Sequence, residues 1–135
     1  MRVELADFDA EFFNILEDHD KILFDKKGVY HTIFVDGEKA GVVGFIPVVS
    51  DDKAGFVQIV LSENYRGKGV LAEAEDLVAR VHGLKILYAT SEEKNVASIK
   101  AHIKAGFRVL EKEKIEMLKQ KGFLKENQIR LVKSY

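Results

Sequence analysis

The apolar positions of this chain fall into two rhythms. In the first half they sit in short β-rich runs separated by turn residues. Arg2 to Leu5 reads as a first strand, and Phe8, Phe12, Ile15 and Leu16 then recur at helical spacing behind Asp7, a suitable N-cap. Tyr30 to Val35 is rich in β-formers, and Asp36-Gly37 is a two-residue hairpin signal. The return strand covers about Lys39 to Val49, where Gly41 and Gly44 point to bulges or close packing. Ser50-Asp51-Asp52-Lys53 turns the chain into a strand ending on Phe56-Val57-Gln58-Ile59-Val60-Leu61. This half reads as an antiparallel meander.

After Leu61 the rhythm becomes helical. Val70, Leu71, Ala74, Leu77, Val78 and Val81 form one face of a helix over about Lys68 to His82, closed by Gly83. Glu73, Glu75 and Asp76 read as its wet face. Leu84 to Ala89 is the next strand, parallel to the preceding one because a helix crossover joins them. Asn95 caps a helix carrying Val96, Ile99 and Ile103 and ending at Gly106, and Phe107 to Leu110 follows as a strand. A charged helix over Glu111 to Lys121 leads to a last strand, Gln128 to Lys133. No linker, repeat or low-complexity segment interrupts residues 1–135, so one domain is expected.

Composition narrows the function classes. The chain has 135 residues with 21 basic and 22 acidic side chains, a balance that gives no global pull toward nucleic acid or a membrane. It has no cysteine, which excludes disulfides, thiolate metal sites and a cysteine nucleophile. Its four histidines form no Cys/His cluster, so no metal is expected. The start, Met1-Arg2-Val3-Glu4-Leu5, lacks an apolar run, and the default expectation is a cytoplasmic protein.

The candidate chemistry lies at Tyr65-Arg66-Gly67-Lys68-Gly69-Val70, between a buried-looking strand and a helix start. The first N–H groups of a helix have no partner within it and lie at the positive end of its dipole, so an anion can dock there. Glycine lets the backbone come close to a ligand. The loop does not fit Gly-x-x-x-x-Gly-Lys-[Ser/Thr] and lacks the third glycine of the dinucleotide fingerprint. A pyrophosphate held here belongs to something other than an NTP or NAD.

Two stretches taken together carry a resemblance. Leu61-Ser62-Glu63-Asn64-Tyr65-Arg66-Gly67-Lys68-Gly69 and, further on, Asn95-Val96-Ala97-Ser98-Ile99-Lys100-Ala101-His102-Ile103-Lys104-Ala105-Gly106-Phe107 resemble, in order and spacing, the two motifs of the GCN5-related N-acetyltransferase (GNAT) family. The resemblance implies an α+β (α/β/α) fold, with a mixed, mostly antiparallel central sheet between helices and two strands that splay to admit a pantetheine arm. It implies transfer of an acetyl group from acetyl-CoA to a primary amine by direct attack, with no covalent enzyme intermediate. By position, Ile59, Val60 and Leu61 would line the arm. Arg66, Gly67, Lys68, Gly69, Val70 and Leu71 would hold the pyrophosphate. Asn95 and Ser98 would lie beside the arm, and His102 would stand where the family often places a tyrosine that protonates the leaving thiolate.

Three positions depart from the family pattern. Leu71 replaces a glycine or alanine, so the helix start should sit less close to the phosphates. His102 replaces the tyrosine, and its ordinary pKa near 6.5 suits a proton donor as well as a polar helix residue. Near Gly55, where some members carry a glutamate base, no glutamate occurs up to Leu61; Glu63, Asp51, Asp52, His31 or a bound water are the substitutes. Glu17, Asp18, Asp20, Asp51 and Asp52 are acids that could draw in a cationic acceptor. Phe8, Phe12 and Phe13 read as core. These departures keep open a different class of function, a sensor or interaction module that binds CoA or acyl-CoA without turnover. The expected partners are acetyl-CoA and a small-molecule or protein amine, with no nucleic acid and no membrane. Dimers are common in this family, and the C-terminal strand is the element a homodimer would exchange.

Overall fold

The computed structural model describes residues 1–135. It holds seven strands and four helices: β1 (Val3–Asp7), α1 (Ala10–Ile15), β2 (Val29–Val35), β3 (Glu38–Val48), β4 (Asp51–Leu61), α2 (Val70–His82), β5 (Ile86–Glu92), α3 (Val96–Lys104), β6 (Arg108–Val109), α4 (Lys112–Gln120) and β7 (Gln128–Ser134). The strands form one sheet in the order β1-β2-β3-β4-β5-β7-β6. All neighbours are antiparallel except β4 and β5. The expected mixed, mostly antiparallel sheet with flanking helices is present. No helix is long and apolar enough to cross a membrane.

Local chemistry sets these elements. Asp36 and Gly37 both take positive φ (50° and 86°), the conformation a tight two-residue hairpin requires, and Val35 pairs with Glu38 across it. Between Ile33 and Phe34 the ladder shifts, with Ala40 the extra residue on β3. A Cβ on the neighbouring Gly41 would collide with the carbonyl oxygen of Val60, so close approach requires glycine there. Gly83, at φ 65°, ends α2, and the Leu84 N–H returns to the Ala79 carbonyl at 2.8 Å.

Several boundaries differ from those the pattern suggested. Asp9, not Asp7, caps α1; its side chain accepts from the Phe12 N–H at 3.1 Å, while Asp7 extends β1 opposite His31. The turn before β4 is only Val49-Ser50, because Val48 already pairs with Asp51. Helix α1 is a single short piece, so Ile15 is 80% exposed instead of lining its inner face. On α3, Val96 and Ile103 are exposed and His102 is buried, with Ala105 buried at its C-cap.

The sheet separates two apolar layers. The larger lies under α2 and α3 and includes Val43, Phe45, Val57, Leu61, Val70, Ala74, Val78, Leu87 and Leu131. On the opposite face Phe13, Leu16, Tyr30, Val42 and Val60 form a second cluster, with Phe8 and Phe12 against it. Of the three phenylalanines expected in the core, Phe13 is buried, and Phe8 and Phe12 are half-buried against it. Lys133 ties the first layer together, donating from β7 to Asp76 of α2 at 2.8 Å and to the Ala105 carbonyl at the end of α3 at 2.7 Å.

His31 of β2 and His82 of α2 meet at 2.8 Å between their Nε2 atoms, so one nitrogen donates and the other accepts. Burial, then the nearby His31, hold the His82 pKa below its ordinary value. The folded protein therefore binds fewer protons at this site than the unfolded chain once pH drops below about 6.5, and the stability present above that pH is lost as pH falls through the folded value. Chemical denaturation across pH 5 to 8 should show wild type losing stability on acidification more steeply than His82→Phe; parallel profiles would exclude His82 as the source.

Candidate functional site

Strands β4 and β5 run side by side for only a short distance. Ala54 pairs with Ile86, Gly55 with Leu87 and Phe56 with Tyr88, and there the pairing stops. β4 continues to Leu61 bonded to β3, while β5 continues to Glu92 bonded to β7. The facing edges of Val57 to Leu61 and of Ala89 to Glu92 therefore bound a slot. The Leu61 carbonyl faces away from β3, since it accepts from Arg66 Nε at 3.1 Å. By strand alternation the peptide groups of Ile59 face the same open side, and those of Val60 face β3.

At the end of β4 the chain makes a short 3-10 turn, Glu63–Tyr65, and reaches the glycine loop. Gly67 and Gly69 both take positive φ, 73° and 84°. The backbone N–H groups of Gly67, Lys68, Gly69, Val70, Leu71 and Ala72 donate to no acceptor in the protein, and the first helical return is Glu73 to Gly69. Lys68 is exposed among them. Leu71 turns its side chain against the core, which leaves its N–H in the free row. Consecutive free donors at a helix start fit an anion with several oxygens.

Arg66 is partly committed. Besides Leu61 it reaches Asp18 at 3.4 Å, and Asp18, itself at φ 65°, also pairs with Lys21 at 3.2 Å. The glycine loop is thus tied to the segment that follows α1. On the other side of the slot, Asn95 caps α3 by accepting from the Ser98 N–H at 3.1 Å, and Ser91 near the end of β5 donates to Ser98 Oγ at 3.0 Å. Asn95 and Ser98 therefore stand beside the far end of β5.

The structure places His102 and Glu75 together, which the sequence did not anticipate. Glu75 is not on the wet face of α2; it is fully buried, and its Oε2 lies 2.9 Å from His102 Nε2. His102 is 6% exposed, and its Nδ1 lies 3.0 Å from the Ser98 carbonyl. A carbonyl only accepts, so Nδ1 carries a proton and donates. The Nε2–Oε2 contact then shares one proton, and the pair is net neutral whichever atom holds it. Burial raises the Glu75 pKa against the pull of His102. Burial opposes charge on His102, but the hydrogen bond and charge of Glu75 outweigh it and raise that pKa too. Glu75 Oε1 has no partner. Both ring nitrogens of His102 are thus committed, Nε2 across to α2 and Nδ1 within α3. Helical spacing could have found Glu75, which lies four residues from both Leu71 and Ala79 on the inner face.

The suggested bases do not converge on the slot. Asp51 and Asp52 begin β4, before its paired segment; His31 is engaged with His82; Glu63 is exposed just beyond Leu61. Gly55 lies in the paired segment beneath Phe45. Among the acids suggested as cation attractors, Asp18 is held by Arg66 and Lys21.

Comparisons with known proteins bear on this arrangement. A family model described as "Acetyltransferase (GNAT) domain" matches residues 4–108. Spermidine N(1)-acetyltransferase of Escherichia coli (strain K12) is 29% identical over 102 residues, 73% of this chain and 55% of that protein. The chain thus spans about half the length of the curated relatives it matches. Among solved structures, Campylobacter jejuni N-acetyltransferase PseH in complex with acetyl coenzyme A superposes with TM-score 0.67 at 14% identity, covering 98% of this chain and 99% of that one. A Bacillus subtilis acetyltransferase in complex with CoA gives TM-score 0.67 at 16% identity, covering 99% and 98%. At such identities these structures establish the shared fold.

The buried pair yields a stability prediction. His102→Phe should cost about 3 to 5 kcal/mol by stranding the Glu75 carboxyl, and adding Glu75→Leu should recover most of the loss. Urea denaturation of the two variants decides it; a single variant as stable as wild type would show that the pair contributes nothing.

Proposed function

The chain belongs to the GNAT acetyltransferase family, and from that premise we propose that it transfers an acetyl group from acetyl-CoA to a primary amine, which attacks the thioester directly. The observation that carries this reading is the row of free N–H groups from Gly67 to Ala72, lying at the end of an unpaired strand edge. A diphosphate with an extended amide-bearing arm is complementary to both features at once: the phosphates accept from the loop, and the arm pairs with the strand edge.

The roles follow from position. Gly67, Lys68, Gly69, Val70 and Leu71 hold the pyrophosphate through backbone donors, and Lys68 and Arg66 add positive charge. Ile59 offers its peptide group to the arm, with Val60 and Leu61 completing the strand that carries it. Asn95 and Ser98 border the arm from α3. Holding amine and thioester together converts a bimolecular step into a local one, the largest contribution asked of this chain. A strand N–H directed at the developing oxyanion adds to it.

His102 supports the site by fixing α3 against α2 through Nε2, while its Nδ1 is committed within α3. Proton removal from the amine falls to a water in the slot or to solvent before binding.

A thermal-shift titration with acetyl-CoA tests the reading. At 100 times its Kd the ligand should add about 2.7 kcal/mol of stability, a rise of several degrees in Tm. Gly69→Glu, which puts a carboxylate among the free N–H groups, should abolish that rise while the protein still melts cooperatively. CoA thiol should be released only when an amine is added. Binding without release under any amine would favour the non-catalytic module, and no shift with folded protein would remove the cofactor assignment.

A further inference from the structure

Arg130 lies between Ile129 and Leu131 of β7. Its alternation places it on the sheet face opposite α2 and α3, together with Thr90 and Tyr88 of β5 and Phe56 of β4; the Phe56 and Tyr88 rings lie 5.7 Å apart there. The side chain crosses β5. Its Nε donates to Thr90 Oγ1 at 3.0 Å, and its guanidinium carbon stands 4.9 Å from the centre of the Phe56 ring. Phe56 and Tyr88 are the last residues paired before β4 and β5 part. The guanidinium is therefore at the closed end of the slot, on the side away from the two helices.

Arg130 is 8% exposed, yet it takes part in none of the ion pairs of the chain. Its terminal nitrogens donate to nothing. They are not sealed off either, because the one buried side-chain atom without a partner is Glu75 Oε1. Thr90 beside it is exposed. Buried cations are ordinarily matched by an anion. A guanidinium stacked on an aromatic ring, with its Nη edge open, presents the fork that binds a carboxylate through two parallel hydrogen bonds.

Resting on the acetyl-transfer reading, we propose that Arg130 recognises a carboxylate on the acceptor, so that the acceptor class is a small amine that also carries a carboxylate, as an amino acid does. The nucleophilic nitrogen then enters the slot from the face opposite α2 and α3, and Arg130 sets its orientation. A purely cationic polyamine would meet an unmatched positive charge at this point.

The experiment compares amino acids with their own amides, which keep the amine and remove the carboxylate. In wild type, kcat/KM should drop about tenfold or more on amidation, as expected for losing hydrogen bonds to a charged group. In Arg130→Gln the acid and the amide should become equal, while the acetyl-CoA thermal shift persists and shows that the fold and the cofactor site are intact. Equal use of acid and amide by wild type, or a preference for polyamines, would overturn the proposal without any variant being needed. Should no amine be turned over, calorimetric binding of the same pairs separates the two ideas. A preference for the acid that Arg130→Gln removes would keep the anion site and discard acetyl transfer; no preference would discard the site.

Discussion

A strand has two edges, and the way β5 uses its edges governs this structure. It pairs with β7 along its whole length, from Ile86 opposite Ser134 to Glu92 opposite Gln128, but with β4 only from Ile86 to Tyr88. The parallel register of that short ladder comes from the α2 crossover, and the divergence beyond it leaves hydrogen-bonding groups of both strands without a mate. Unmade backbone bonds are costly inside a protein and tolerable only where something else reaches them. The slot and its two unmated edges follow from that parting, and the glycine loop stands at its mouth.

The apolar layers keep the parting from collapsing. Val57 and Leu61 on β4 and Leu87 and Ala89 on β5 anchor both strands in the core under α2 and α3. The two helices are held to one another by Glu75 and His102 and tied to β7 through Lys133. A net-neutral buried pair suits that position. It fixes one arrangement of the helices above the slot without placing a net charge against whatever fills it.

Much of this was legible in the sequence, for identifiable reasons. Asp36-Gly37, Gly67, Gly69 and Gly83 announce conformations few other residues adopt, and each is found at positive φ. Asn95 names its helix start through a side-chain bond formed within three residues. What was illegible depends on contacts distant in sequence. Asp7 reads as the cap until pairing of β1 sets it opposite His31, and Asp9 takes that place. The spacing of Glu75 from Leu71 and Ala79 points inward, but the partner that makes its burial tolerable comes only from α3, where His102 and not the stripe of Val96 and Ile103 takes the inner face. Arg130 carried one signal, a charge flanked by Ile129 and Leu131, but its meaning depends on Phe56 lying across β5.

The slot also bears on how long the protein lasts. Open strand edges are the places where a sheet first comes apart or accepts the wrong chain. A ligand that spans the slot mends two edges at once and joins halves of the sheet that share only the short ladder from Ala54 to Phe56. Local opening, and with it cleavage by proteases, is then suppressed in proportion to occupancy. Survival of the polypeptide would then follow how much ligand surrounds it.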